Sequence, residues 1–206
     1  MKISNPKISN LEEKELMDIK DNIYDNYHFI NTPNNKIKIN NTTFDSCVFE
    51  NIDFTNIELN NVDLLDVIFD GCDLSNKCFD YKMLSRVVFK NCKMIGTSFI
   101  ESSLKDIQFN NCVTRYLNFS NTRINNILIK DTSLTESTFM EAIVKNMDLD
   151  SVKLYNTEFI KTNLNKVDFS SCDIDGIIFD NYSLKGIIVD KFQCQNLVGM
   201  LGVEVK

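Results

Sequence analysis

Every fifth residue from position 44 to position 189 is large and apolar, and the register never slips. The series begins Phe44, Phe49, Phe54, Leu59, Leu64, Phe69, and of its thirty members only Thr114 is not Phe, Leu, Ile, Val or Met. Thirteen of the fifteen Phe residues lie on it. A spacing of five fits neither the period of about 3.6 of an amphipathic helix nor the period of about 2 of a strand. It fits a short extended segment closed by a corner, with one large side chain per segment turned to a common axis. A repeat of this kind decides the fold before any local propensity does.

Two neighbouring positions sharpen the reading. Counting the large residue as i, position i−2 reads Thr42, Cys47, Ile52, Ile57, Val62, Val67, Cys72, small or β-branched residues that share its face in extended backbone. Position i+2 is Asn or Gly at half of the thirty sites, Asn51, Asn56, Asn61, Gly71 and Asn76 among them. Those residues tolerate the positive φ that a recurring tight corner demands. Phe-rich and Leu-rich members alternate, and Cys72, Cys92, Cys112 and Cys172 differ by multiples of twenty. Four sides per turn satisfies both patterns. The expectation is an all-β solenoid, a quadrilateral coil of about 7.5 turns and roughly 36 Å at ~4.8 Å per turn. Thirty inward residues at about 2 kcal/mol each form its core. The five cysteines in the i−2 slot (Cys47 with those four) read as small core residues rather than metal ligands, because thiols in a straight column cannot surround a tetrahedral ion. Thr114 reads as a packing variation whose hydroxyl bonds nearby backbone.

The ends read differently. Asn10 followed by Glu13 has the form of a capping box, and residues 11–24 place Leu16, Ile19 and Ile23 on one helical face. Residues 1–36 are therefore expected to be a helical cap over the first turn's strand edges, with Pro33-Asn34-Asn35 as the turn into a coil over 37–189. The register also runs back weakly through Ile39 and Phe29. Beyond Val189, Asp190 and Gln193 have the spacing of a reciprocal helix cap, and Cys194, Leu197, Val198 and Leu201 follow at i, i+3, i+4 and i+7. Gly202 suits a helix stop, and Val203-Glu204-Val205 alternates like a short strand. So short an apolar segment, 190–206, folds onto the last coil or meets a second copy.

Charge is segmented along the coil. Residues 41–76 carry eight acids and no base, residues 77–100 five bases and one acid, and 131–180 ten acids and four bases. The tails balance, so the net charge of −7 resides on the coil. Sorted by side, one Phe side has Glu50, Asp70, Asp131, Asp148, Asp150 and Asp168 against Lys90 and Lys130. The opposite side has Glu58, Asp80, Glu101, Glu141, Glu158 and Asp180 against Lys161. Another side is mildly basic, with Arg86, Lys105, Arg123, Lys145, Lys166 and Lys185 against Asp45, Asp63, Asp66 and Asp106. Opposed anionic faces on a rod suit a cationic partner surface; direct nucleic-acid binding is not expected. There is no phosphate-binding Gly-rich loop, no nucleophile elbow and one His, and the carboxylate pairs Asp148/Asp150 and Asp173/Asp175 sit on a convex surface. Enzymatic activity, cofactors and metals are not expected. No apolar run reaches membrane-spanning length, so the expected location is the cytoplasm.

The runs CDLSN (72–76), CKMIGTSFIESSLKDIQFNNC (92–112) and VDFSSCDIDGIIFD (167–180) resemble pentapeptide repeat proteins, which implies a right-handed β-helix. The ending GIIVDKFQCQNLVGMLGVEV (186–205) resembles that of the Qnr-like members, and the helical preamble and unbroken coil look most like their loop-less Gram-positive chromosomal representatives. The resemblance implies a homodimer joined end to end through Phe192, Cys194, Leu197, Val198, Leu201, Val203 and Val205. It further implies a DNA-mimicking protein that binds DNA gyrase, with topoisomerase IV as a second target, and protects it from fluoroquinolones. The acidic residues of the two Phe sides would then meet the enzyme. A scaffold rod for another cytoplasmic protein is the rival reading.

Overall fold

The structure, a computed structural model, describes residues 2–20, 22–200 and 202–204. Its strands pair in parallel with an offset of twenty residues: Val48 with Ile68, Val88 with Gln108, Leu128 with Asp148. The same offset links Asp53, Asp73, Lys93 and Val113 on a second side, Cys78, Ser98, Asn118, Thr138 and Glu158 on a third, and Phe44, Leu64, Leu84 and Leu104 on a fourth. Twenty residues, four sides and one inward residue per side are the square coil that the period of five dictates.

The phenylalanines stack as columns. On the first side Phe29, Phe49, Phe69, Phe89 and Phe109 follow at ring separations of 4.9, 4.8, 5.3 and 5.0 Å. On the third, Phe79, Phe99, Phe119, Phe139 and Phe159 follow at 5.4, 5.1, 4.6 and 4.8 Å, and Phe179 at 5.7 Å. The columns meet edge to face, as between Phe99 and Phe109 at 85°. Stacking along the axis and T-shaped contact across it are both favourable ring geometries, so one residue type fills the core in two directions. Phe169 lies on the first side three levels beyond Phe109, after Ile129 and Leu149. Cys47, Cys72, Cys92, Cys112 and Cys172 are buried with free thiols; the Cys92 thiol donates to the Phe69 carbonyl. Burial pushes the Cys47 thiol up to about 11. Thr114 is buried and its hydroxyl donates to the Ser133 carbonyl.

The corners follow the i+2 rule. Apart from Asn10 and Gly202, every residue with positive φ falls there, including Asn51, Asn61, Gly71 and Asn91 and also Tyr81, Arg86, Glu101 and Lys166. Gly71 has a second constraint: a Cβ there would lie 2.3 Å from Asn51 Oδ1, one level below.

The N-terminus departs from expectation. Residues 11–24 are not a helix: Glu12–Lys14, Ile23–Asp25 and Tyr27–Phe29 are strands, and Leu16–Asp18 is a single 3₁₀ turn. Tyr24 pairs with Phe44 and Phe29 with Phe49, so the coil begins well before Ile37. The helical pattern gave way because Tyr24 and Phe29, on the five-residue register, are both fully buried, a larger gain than one weak helical face. The first lap is short, Glu12 pairing with Tyr27 at an offset of fifteen.

One interruption breaks the ladder. Among the described residues no backbone hydrogen bond joins 142–151 to 162–171. The corner geometry changes here. At 164–167 and 169–172 the chain makes hydrogen-bonded turns, Val167 N–H to Leu164 O (2.9 Å) and Cys172 N–H to Phe169 O (2.9 Å). On those sides the levels at 83–90, 103–110 and 123–130 pass the corner as continuous strand. Asn163 Oδ1 also takes the Asn165 N–H, 3.1 Å, away from the ladder. Ser171 bridges part of the gap, donating to Leu149 O at 3.3 Å and accepting from Ser151 N–H at 3.4 Å. The groove, about 560 Å³, is lined by Met147, Leu149 and Val167 with Lys145, Asp148, Lys166 and Asp168 around it. Amides of 143–149 and 163–168 are expected to exchange roughly tenfold faster or more than those of 103–110. Hydrogen exchange read by mass spectrometry checks this, and equal protection in all three segments would contradict it.

Candidate functional site

The positions that carry charge are the outward ones, i−1 and i+1, and the i+2 corners, so the strand register stacks equivalent residues of successive turns. Glu50, Asp70, Lys90, Asn110, Lys130 and Asp150 form one such row on the first side. Asp148 and Asp168 stand beside it, and Asp131 on the adjoining corner. Lys38 pairs with Glu58, and Glu158 continues the row of Thr138, on the third side, which also bears Asp80, Glu101, Glu141 and Asp180. The structure thus assembles both acidic sets and pairs part of each with cations.

The first side is neutralised in part, at Asp70 and Asp150. Lys90 reaches Asp70 at 2.7 Å, Lys130 reaches Asp150 at 2.7 Å, and His28 Nε2 lies 2.8 Å from Glu50. Burial opposes ionisation of Asp70, but the Lys90 and Asn91 hydrogen bonds outweigh it and hold the carboxyl below its usual range. The basic band at 77–100 finds its explanation here. Arg86, Lys90 and Lys93 each bind the acid twenty residues earlier, Asp66, Asp70 and Asp73, at 2.5, 2.7 and 2.9 Å. Lys77 and Lys82 occupy i−2 slots and donate to the Ile57 carbonyl (2.9 Å) and Asn61 Oδ1 (2.6 Å). The band is the upper half of a charge ladder whose lower half is the acidic stretch 41–76.

A second neutralising element has no counterpart in the sequence reading. The N-terminal segment runs along the outside of the coil as a strap. Lys7 N–H donates to Asp66 Oδ1 (2.9 Å), and Asn5 Oδ1 accepts from Gln108 Nε2 (2.8 Å), two turns further along. Asp66, Asp106 and Gln108 are buried. Asp66 is gripped by a fork, Arg86 Nε to Oδ1 (2.5 Å) and Nη2 to Oδ2 (2.6 Å). Burial alone would raise the Asp66 carboxyl; Arg86 and the Lys7 N–H outweigh it and leave the carboxyl lowered. A folded-state value below the unfolded one gives stability that is complete above the unfolded pKa, about 3.9, and is lost as pH falls through the lowered value. The melting-temperature gap between the parent and Asp66→Asn should therefore be constant from about pH 5 to 8 and shrink below about pH 4. A gap that widens in acid would refute the assignment.

The third side is also neutralised in part. Glu58 is bound by Lys36 and Lys38 (2.6 and 2.9 Å), which lower its carboxyl to about 2, and Glu141 by Lys161 (2.7 Å). Among the described residues Asp80, Glu101, Glu158 and Asp180 have no cation within ion-pair distance. Asp80 accepts from Ile100 N–H (2.8 Å), and Asp180 accepts from Ser183 N–H (2.8 Å), which lowers its carboxyl, and from Lys161 N–H (3.1 Å).

At the far end the cap at 190–193 forms as expected. Asp190 Oδ1 accepts the Phe192 and Gln193 N–H groups at 2.7 and 2.8 Å, and Gln193 Oε1 accepts the Asp190 N–H at 3.0 Å. Helix α1 spans Lys191–Met200. Its buried face differs from the expected one: Gln193 and Leu197 are buried while Cys194 is exposed. Gln193 Nε2 donates to both Phe169 O and Cys172 O at 2.8 Å, satisfying carbonyls of the last full turn. Hydrophobic spacing could not reveal a polar residue as the plug. Phe192 is 68% and Val203 52% exposed, and Val198 is half-buried. Val203 and Glu204 are not in a strand, and Leu201 and Val205 lie outside the described residues.

Two family descriptions match this coil: a pentapeptide repeat region over residues 62–139, and pentapeptide repeats in eight copies over 39–76 and 148–181. The chain is a pentapeptide repeat protein. No curated protein matches it. Among solved structures it is similar to full-length QnrB1, a plasmid-mediated fluoroquinolone resistance protein, at 16% identity and a TM-score of 0.45, covering 93% of this chain and 95% of that one. It is also similar to HetL, a pentapeptide repeat protein involved in heterocyst differentiation regulation from the cyanobacterium Nostoc sp. strain PCC 7120, at 16% identity and 0.34, covering 82% and 90%. In this pentapeptide repeat protein no described group of His, Cys, Asp and Glu is arranged to hold a metal ion, and no described helix is long and apolar enough to cross a membrane. Coils of this kind serve different roles, so function has to be argued from the surface.

Proposed function

We propose that this pentapeptide repeat protein is a non-enzymatic, DNA-mimicking rod of the cytoplasm that binds DNA gyrase, and topoisomerase IV as a second target, and protects them from fluoroquinolones. The observation that carries the reading is the third side, where Asp80 and Glu101 on two successive turns, and Glu158 and Asp180 on two more beginning three turns further along, stand without cations among the described residues. From Asp80 to Asp180 is five turns, ~24 Å at ~4.8 Å per turn, with the free carboxylates grouped toward its two ends. A cationic surface shaped to hold duplex DNA would release counterions on meeting it, and so would the rod. The first side, crossed by the strap at Gln108 and neutralised at Asp70 and Asp150, is the lesser contact. The resemblance of the 186–205 ending to Qnr-like proteins supports the same partner.

The exposed Phe192, Cys194 and Val203 with half-buried Val198 supply an apolar end for a second copy, while Leu197 serves the protein's own coil. A homodimer joined there doubles the length of the anionic side. The deciding measurement is gyrase supercoiling in ciprofloxacin with and without the protein. Recovery of supercoiled product as protein is added is the expected outcome. No recovery at any concentration, with no gyrase binding in a pull-down, removes the reading in favour of a scaffold for another protein.

A further inference from the structure

Most cations elsewhere on the coil are already engaged: Arg86, Lys90, Lys93, Arg115, Lys130 and Lys161 pair with acids one turn away. The distal half of the fourth side breaks the pattern. Lys105, Arg123, Lys145, Lys166 and Lys185 are all exposed there, and among the described residues none has an acid within ion-pair distance. The acid on that stretch, Asp106, is buried and takes its hydrogen bond from Asn126 Nδ2 at 2.7 Å. Lys105, Lys145 and Lys185 stand on one row, two turns apart, or ~10 Å at ~4.8 Å per turn. The row spans ~19 Å of a straight, rigid face.

The geometry points to this side as a contact for the phosphate backbone of double-stranded DNA. A line of lysine point charges is what sequence-independent phosphate contact requires. A protein partner would need a buried apolar or aromatic anchor at the centre, and the side offers two isolated exposed residues, Ile143 and, at its far end, Tyr182. One aromatic residue at the end of the row makes no platform on which successive bases of a single strand could stack. The anionic faces, beside which nucleic-acid binding was not expected, are other sides of the rod. The inference stands apart from the gyrase reading, and its test contains no topoisomerase.

The test is fluorescence anisotropy of a labelled 30-base-pair duplex of arbitrary sequence, titrated with the full chain between 25 and 200 mM salt. Binding is expected with a log–log salt slope of up to about −4.5 for five contacts. Lys105→Gln/Lys145→Gln/Lys185→Gln should lower affinity by roughly tenfold or more at the lowest salt and flatten the slope by about 2.7. The control Lys90→Gln/Lys93→Gln/Lys130→Gln, altering paired lysines, should change little; circular dichroism checks that both variants keep the coil. Any of several results overturns the assignment: no binding at 25 mM salt, an unchanged slope in the first variant, or an equal loss in the control. Displacement of the duplex by poly-glutamate at equal charge would assign the face to an acidic protein instead. Self-association of the parent that the first variant abolishes, seen by sedimentation, would assign it to another copy's acidic side.

Discussion

Phe109→Asp should leave the chain without a cooperative fold, or with a melting temperature lower by tens of degrees. Phe109 is fully buried, stacked on Phe89 at 5.0 Å and edge to face with Phe99 and Phe119 at 6.3 and 6.2 Å. Removing the ring costs about 3–5 kcal/mol by transfer and cavity terms. The carboxylate brings a desolvation penalty of similar or greater size, since the neighbouring Cys112 thiol and Thr132 hydroxyl are already given to backbone carbonyls. In a solenoid each turn is stabilised through its neighbours, so a defect at mid-rod uncouples the halves instead of fraying an end. Phe109→Leu, which resembles the Ile129 level of the same column, should fall by only a few degrees. Circular dichroism melts of both variants test the pair, and a Phe109→Asp melt within about five degrees of the parent would remove the stacked-column account.

The second large effect concerns binding. Asp80→Asn, Glu101→Gln, Glu158→Gln and Asp180→Asn together should weaken gyrase binding at least tenfold and reduce its salt dependence, with the coil intact. These four lack cations, so neutralising them removes charge that a partner can use. The matched set Asp70→Asn and Asp150→Asn removes carboxylates that Lys90 and Lys130 already neutralise and frees those lysines; its loss should stem from the new positive charge and be smaller. Surface ion pairs contribute little to stability, so neither set should unfold the rod. Surface plasmon resonance against immobilised gyrase at several salt concentrations distinguishes them. Equal losses would mean that charge position along the rod does not matter, and that the third side is not the contact.

What the chain alone determined was whatever repeats. Period five, the i−2 and i+2 columns and the twenty-residue cysteine spacing specify sides, core and corners, because each turn imposes the same steric demand on the same column. The partition of acids between two opposed sides followed from that register, and Thr114 was legible because it violates it. Tertiary structure decided what occurs once. The strap from Asn5 to Lys7 packs against Asp66 and Gln108, residues 59 and 103 positions away, and no local pattern marks it. The Glu12–Lys14 strand overrode a plausible cap because an edge was waiting to be paired. The open ladder beside Met147 lies where the corner geometry changes between levels, a relation that no single level contains. Which charges remain free was settled the same way: Lys90 is silent and Lys145 available because of the residue one turn below each, Asp70 in one case and Asn125 in the other.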